Sequence, residues 1–197
     1  MFAVRACFAA VALAAASFGA QASLVNLVAD GQWREFSVEA TESRTTDTAW
    51  IDILANDGSR LSFAFTVAAG FEGTLSVTDT GFKGATYSLF NTASGNAVSL
   101  GTTAAVAPYE IDFNAPFLDA ATAAASSDYS HGVFKLGAGS YVITGELAQS
   151  VTLGGDALIS DTGALKLEVS AVPEPSGYAL VLAGLGLMAA ARRRSAR

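Results

Sequence analysis

Arg60-Leu-Ser-Phe-Ala-Phe-Thr-Val67 decides the fold of this chain. Leu61, Phe63, Phe65 and Val67 recur at every second position with Ser62, Ala64 and Thr66 between them, the period of an extended strand that turns one face to a core. A half-buried strand of this kind belongs to an antiparallel sheet. Similar runs occupy 33–39, 49–54, 73–79, 85–90, 133–136, 140–147 and 164–170, and Asn56-Asp-Gly-Ser59 supplies a hairpin turn. Short strands at roughly 8–12-residue spacing, separated by Gly, Asn, Asp and Ser, predict a sandwich rather than alternating βαβ units. The expected fold is mostly β, an antiparallel β-sandwich of jelly-roll or immunoglobulin-like type. The segment 115–125 breaks the alternation: Pro116 stands where a first helical turn tolerates proline and alanines follow, which predicts one short helix or a long loop.

The ends of the chain read differently from its middle. Residues 1–22 carry one positive charge at Arg5, an apolar run over 6–16 and an Ala20-Gln21-Ala22 cleavage pattern, as a secretory signal peptide does, which predicts a mature N-terminus at Ser23. A buried N-terminal helix is the alternative, disfavoured by that cleavage pattern and by the lack of acidic residues before Asp30. At the other end, Val172-Pro173-Glu174-Pro175 precedes an apolar stretch over 177–191 and the basic residues Arg192, Arg193, Arg194 and Arg197. As a helix the apolar stretch is about 22 Å long, short of a ~30 Å hydrocarbon core, so it spans as one short transmembrane helix only with snorkelling arginines or local thinning. The arginines place that end in the cytoplasm and residues 23–171 outside the inner membrane. Two prolines around one acid disfavour helix and hold the segment extended outside the bilayer, the form a processing enzyme grips. The expected organisation is a signal peptide at 1–22, one extracytoplasmic domain at 23–171 and a sorting signal at 172–197.

This tail resembles the PEP-CTERM sorting domain of Gram-negative bacteria. The resemblance covers about the last 25 residues of the chain. It implies recognition of Pro173, Glu174 and Pro175 by an exosortase, a membrane-embedded transpeptidase-like enzyme, with the inner membrane as an intermediate and the cell surface or extracellular matrix as destination. It also implies association with exopolysaccharide, which bacteria with this system commonly make. A second resemblance lies in the middle domain: Thr74-Leu-Ser-Val-Thr-Asp79, Gly81-Phe82 with Gly84, Gly101-Thr-Thr103 and the run from Ser130 to Gly145 are similar to a recurrent extracellular β-domain of other PEP-CTERM proteins. In that pattern a Gly-Asp often follows the first phrase, whereas here Gly84 is followed by Ala85.

Charge excludes some functions. Residues 23–171 hold 17 acidic and 6 basic side chains, a net charge of about −11, which argues against nucleic acid and anionic membranes as partners. The single cysteine, Cys7, lies in the signal segment, so the mature domain has neither disulfide nor thiol nucleophile. No catalytic residues are expected. His131 is the only histidine, Asp128 and Ser130 are too near it in sequence to signal a triad, and no Gly-x-Ser-x-Gly elbow exists; His131 is expected at a strand start, bonded to a loop. One histidine and no mature cysteine make zinc a poor fit, so no cofactor is expected except calcium, left open through Asp47, Asp52, Asp57 and Asp79 near predicted loops. Trp33, Trp50, Tyr87, Tyr109, Tyr129 and Tyr141 would form a sugar-stacking platform if they shared an exposed face, although such residues are more often core. The main expectation is an exported, non-enzymatic surface or matrix protein. The alternative is a carbohydrate-binding or carbohydrate-active secreted module, and self-assembly through sheet edges is a third reading.

Overall fold

A computed structural model describes residues 23–39, 48–52, 59–107, 110–111, 118–172, 180–185, 187–188 and 192. Among them lie eleven strands and one short helix in the domain: β1 (Ser23–Asn26), β2 (Arg34–Glu39), β3 (Leu61–Val67), β4 (Phe71–Asp79), β5 (Thr86–Asn91), β6 (Val98–Thr102), α1 (Ala120–Ala124), β7 (His131–Leu136), β8 (Gly139–Gln149), β9 (Thr152–Leu153), β10 (Asp156–Ala157) and β11 (Ser160–Ala171). One sheet has the order β1-β3-β8-β5-β6, the other β2-β11-β4-β7, and β9 and β10 form a separate hairpin. Every pairing is antiparallel except β1 with β3. From β2 to β5 the chain alternates between the two sheets; β5 and β6 form a hairpin within the five-stranded sheet, β7 and β8 cross again, and β11 returns to the four-stranded sheet between β2 and β4.

The predicted alternation sets which faces meet. Leu61, Phe63, Phe65 and Val67 of β3 are buried, as are Leu75 and Val77 of β4 and Leu165 and Leu167 of β11, so one core lies between the sheets. At its centre Phe36 stacks on Trp50 with ring centroids 3.9 Å apart, and the Tyr87 ring meets Phe36 edge-on at 5.1 Å. Two strand glycines make room for these rings: a Cβ at Gly163 would overlap Phe36, and one at Gly145 would overlap Trp50. Burial of these aromatic surfaces is the main stabilising force in a domain without disulfides.

Several local expectations change. Over 49–52, the described part of the strand expected at 49–54, there are only isolated bridges: Ala49 pairs with Glu146 of the five-stranded sheet and Ile51 with Ser37 of the four-stranded sheet. Because the chain crosses between sheets at Trp50, whose indole is fully buried, neither side can extend a ladder there. Residues 53–58, including most of the expected hairpin turn, lie outside the described residues. The helix α1 begins at Ala120, where Asp119 caps it by accepting from the Ala121 and Thr122 amides at 3.1 Å each; Pro116 lies outside the described residues. Strands β1 and β6 arise where no run was expected. The chain at 180–185 and 187–188 is helical, and among the described residues no helix is long and apolar enough to cross a membrane.

Candidate functional site

The predicted functional ends meet the domain at defined places. Ser23, the expected mature N-terminus, begins β1: its amide donates to the Arg60 carbonyl at 2.7 Å and its Oγ donates to Asp52 Oδ2 at 2.5 Å. Ala20 and Ala22 lie outside the described residues. At the other end β11 runs to Ala171, and the Val172 amide still donates to the Gly70 carbonyl at 2.9 Å. The sorting motif therefore follows the last ladder residue directly, with no linker between fold and Pro173. Pro173, Glu174, Pro175, Arg193, Arg194 and Arg197 lie outside the described residues, and Arg192 is helical.

The other sequence candidates do not converge. His131 opens β7, its Nδ1 3.1 Å from the Tyr129 carbonyl. Ser130 Oγ donates to the Ala104 carbonyl at 2.7 Å, and Asp128 pairs with Lys83 at 3.2 Å, so these three neighbours serve separate contacts. The aromatic residues likewise do not share an exposed face: Trp50 and Tyr87 are wholly buried, Tyr129 nearly so, Tyr141 stacks on Phe65, and Lys166 Nζ lies 5.4 Å from the centroid of the Trp33 ring. Tyr109 lies outside the described residues, as do Asp47 and Asp57. Among the described residues no three His, Cys, Asp or Glu side chains cluster as a metal site would require.

Asp79 corrects the expectation of a loop ligand. It ends β4 wholly buried, and the structure sets it beside Asp161, a residue the sequence reading did not single out. Their surroundings are built from one repeated triplet, Asp79-Thr80-Gly81 and Asp161-Thr162-Gly163. Asp79 lies opposite Gly163 in the β4–β11 register, and the Thr80 and Gly81 amides both donate to the Thr162 carbonyl, at 3.0 and 3.1 Å. Asp79 Oδ1 accepts from the Gly81 amide at 2.9 Å; Asp161 Oδ1 accepts from Phe82 at 3.1 Å and from Thr162 at 2.8 Å. A Cβ at Gly81 would overlap Asp161 Oδ1, so the turn needs glycine for this close approach. Among the described residues neither Oδ2 meets a donor at hydrogen-bond geometry, although the Tyr87 hydroxyl lies near enough to Asp161 to act on its carboxyl group.

Burial pushes both carboxyl groups well above the usual carboxylate range, and for Asp79 the charge of Asp161 adds to the effect. The Gly81 and Ala85 amides oppose the rise at Asp79; at Asp161 the Thr162 and Phe82 amides and the Tyr87 hydroxyl do so. Paired aspartates with split affinities for one proton are also the apparatus of aspartic proteases, but a hydrolytic dyad must face a substrate. Here Asp79 is 0% and Asp161 5% exposed, so no substrate reaches them. The repeated Asp-Thr-Gly triplet was the sequence signal for this pair.

Fold and termini together define a β-sandwich domain that passes without a spacer into a sorting segment. Residues 171–195 match the family model of the PEP-CTERM protein-sorting motif, so the chain carries a PEP-CTERM sorting domain, and this motif implies exosortase-dependent sorting to the cell surface. Among solved structures, the pre-peptidase C-terminal domain of a collagenase from Bacillus anthracis is similar at 13% identity and a TM-score of 0.37, over 75% of this chain and 95% of that chain. No curated protein sequence matches the chain.

Proposed function

We propose that this is a non-catalytic surface protein, exported through the signal peptide at 1–22, held in the inner membrane by 177–191 and its arginines, and processed by an exosortase-type enzyme at Val172, Pro173, Glu174 and Pro175. The observation that carries the reading is the match of 171–195 to the sorting motif, joined to a strand that ends at Ala171. The domain itself we read as a jelly roll: β2-β11-β4-β7 facing β3-β8-β5-β6 is the order of eight strands wound as two Greek keys over two sheets, with β1 added at one edge. Its role is display at the surface or in the matrix of a Gram-negative cell, in contact with exopolysaccharide. The dispersal of Asp128, Ser130 and His131 into separate contacts supports a role without catalysis.

Removal of 173–197, followed by fractionation of the producing cell, tests the sorting role. The truncated protein should leave the surface fraction, and its normal arrival there would refute the proposal. Intact mass of the surface form should correspond to a chain that begins at Ser23 and ends within 172–175.

A further inference from the structure

Helix α1, formed where the strand alternation breaks, packs against β4 with Ala123 fully buried, and so walls one side of the outer face of the four-stranded sheet. Beside it the register lines up one row across the strands. Lys166 of β11 lies opposite Ser76 of β4, and Ser76 opposite Val133 of β7. Trp33, just before β2, completes the row, with Lys166 Nζ over its ring 5.4 Å from the centroid. Between this row and Ala124 and Ala125 of the helix end lies a cleft of about 310 Å³, which also takes in His131. That is the lower end of the size of small-ligand sites, room for a short length of a chain. Because β2 and β7 are the two edges of the sheet and Val133 is 61% exposed, the row runs from edge to edge and a polymer can continue past it.

The lining has the chemistry of a sugar site. The Tyr129 carbonyl can only accept, so the His131 Nδ1 3.1 Å from it carries the proton, which leaves Nε2 to accept from a ligand hydroxyl. Among the described residues no group engages the Ser76 hydroxyl, which can donate and accept. Indole, alanine and valine surfaces suit the apolar face of a sugar ring, while the hydroxyl, imidazole and ammonium groups suit its rim. Charge decides the class of sugar. Lys166 is balanced by Glu168 at 3.3 Å and Lys135, in the neighbouring row, by Glu72 at 2.9 Å, so this face has no surplus positive charge with which a domain of net charge about −11 could draw in an acidic chain. We propose that the cleft between α1 and the row Trp33, Lys166, Ser76 and Val133 binds an uncharged polysaccharide, one sugar ring against Trp33 and its hydroxyls on Ser76 and His131. This rests on the exopolysaccharide contact proposed above and gives it a site.

Titration of the purified chain with uncharged gluco-, manno- and galacto-oligosaccharides, and with polygalacturonate as the acidic comparison, tests this by calorimetry and by Trp33 emission. An uncharged probe should bind and polygalacturonate should not, with an affinity that salt leaves unchanged. Trp33→Ala should weaken binding about tenfold or more, and Ala125→Phe, at an exposed position on the cleft wall, should do the same. Phe71→Ser removes an exposed aromatic ring outside the cleft and should leave binding intact. Circular dichroism checks that each variant is folded, and Ala125→Phe keeps the test open if Trp33→Ala is not. No binding of any uncharged probe, preference for polygalacturonate, or binding kept in both cleft variants would overturn the site. Cosedimentation of the wild-type chain with the producing cell's exopolysaccharide separates the two readings: its loss overturns the contact itself, whereas cosedimentation unchanged in the cleft variants overturns the cleft alone.

Discussion

Substitution of Gly163 by alanine tests how tightly the sheets are held. The new Cβ would overlap the Phe36 ring and lie 2.9 Å from the Thr78 carbonyl oxygen, so neither a side-chain rotation nor a small shift of one atom relieves both contacts. Phe36 is itself fixed by its stack on Trp50 at 3.9 Å. Overpacking in a core costs about 1–3 kcal/mol, and a clash that includes backbone in a central strand belongs at the upper end, about 3 kcal/mol. For a domain of this size that lowers Tm by roughly 6–12 °C. Denaturant unfolding followed by far-UV circular dichroism measures it. The partner variant Phe36→Leu costs about 1–2 kcal/mol alone through lost area and stacking. In the double variant the ring is gone, so the two effects should sum to less than their separate values, with a coupling of about 1–2 kcal/mol. A Gly163→Ala cost within about 0.5 kcal/mol of zero, or strict additivity with Phe36→Leu, would refute the reasoning.

The folded chain holds protons on Asp161 and Asp79, raised to about 7 and about 9, that the unfolded chain has released, so stability should fall as pH rises from about 5 to about 9, and Asp79→Asn should flatten the slope in urea titrations. Asp119→Ala removes the cap of α1 and should speed hydrogen exchange at the Ala121 and Thr122 amides while leaving the strands protected. Trp50 is wholly buried and Trp33 is not, so the Trp33→Phe variant should fluoresce with a more blue-shifted maximum than wild type.

The sandwich was legible because strands with one face in the core write their burial as alternation, as at Leu61, Phe63, Phe65 and Val67. Strand β6 was not, because its residues lie at a sheet edge and none is buried, which leaves no apolar rhythm to read. Trp50 misled for the opposite reason: it is buried, but by a chain crossing between sheets, and local pattern cannot distinguish that from a strand. The tail was legible because motif, apolar stretch and arginines are contiguous. The aspartate pair was not, since its members belong to triplets far apart in the chain that only the β4–β11 register brings together.

A tail that continues from β11 makes that strand the element through which any pull on the C-terminus enters the domain. The strand holds six residue pairs with β2 on one side and nine with β4 on the other. Antiparallel ladder bonds lie across the strand direction, so traction along β11 loads both rows in shear, many bonds at once, instead of peeling them singly. A protein attached by this end would resist flow as a mechanical anchor, yielding at the rate of whole-domain unfolding and not by gradual unravelling.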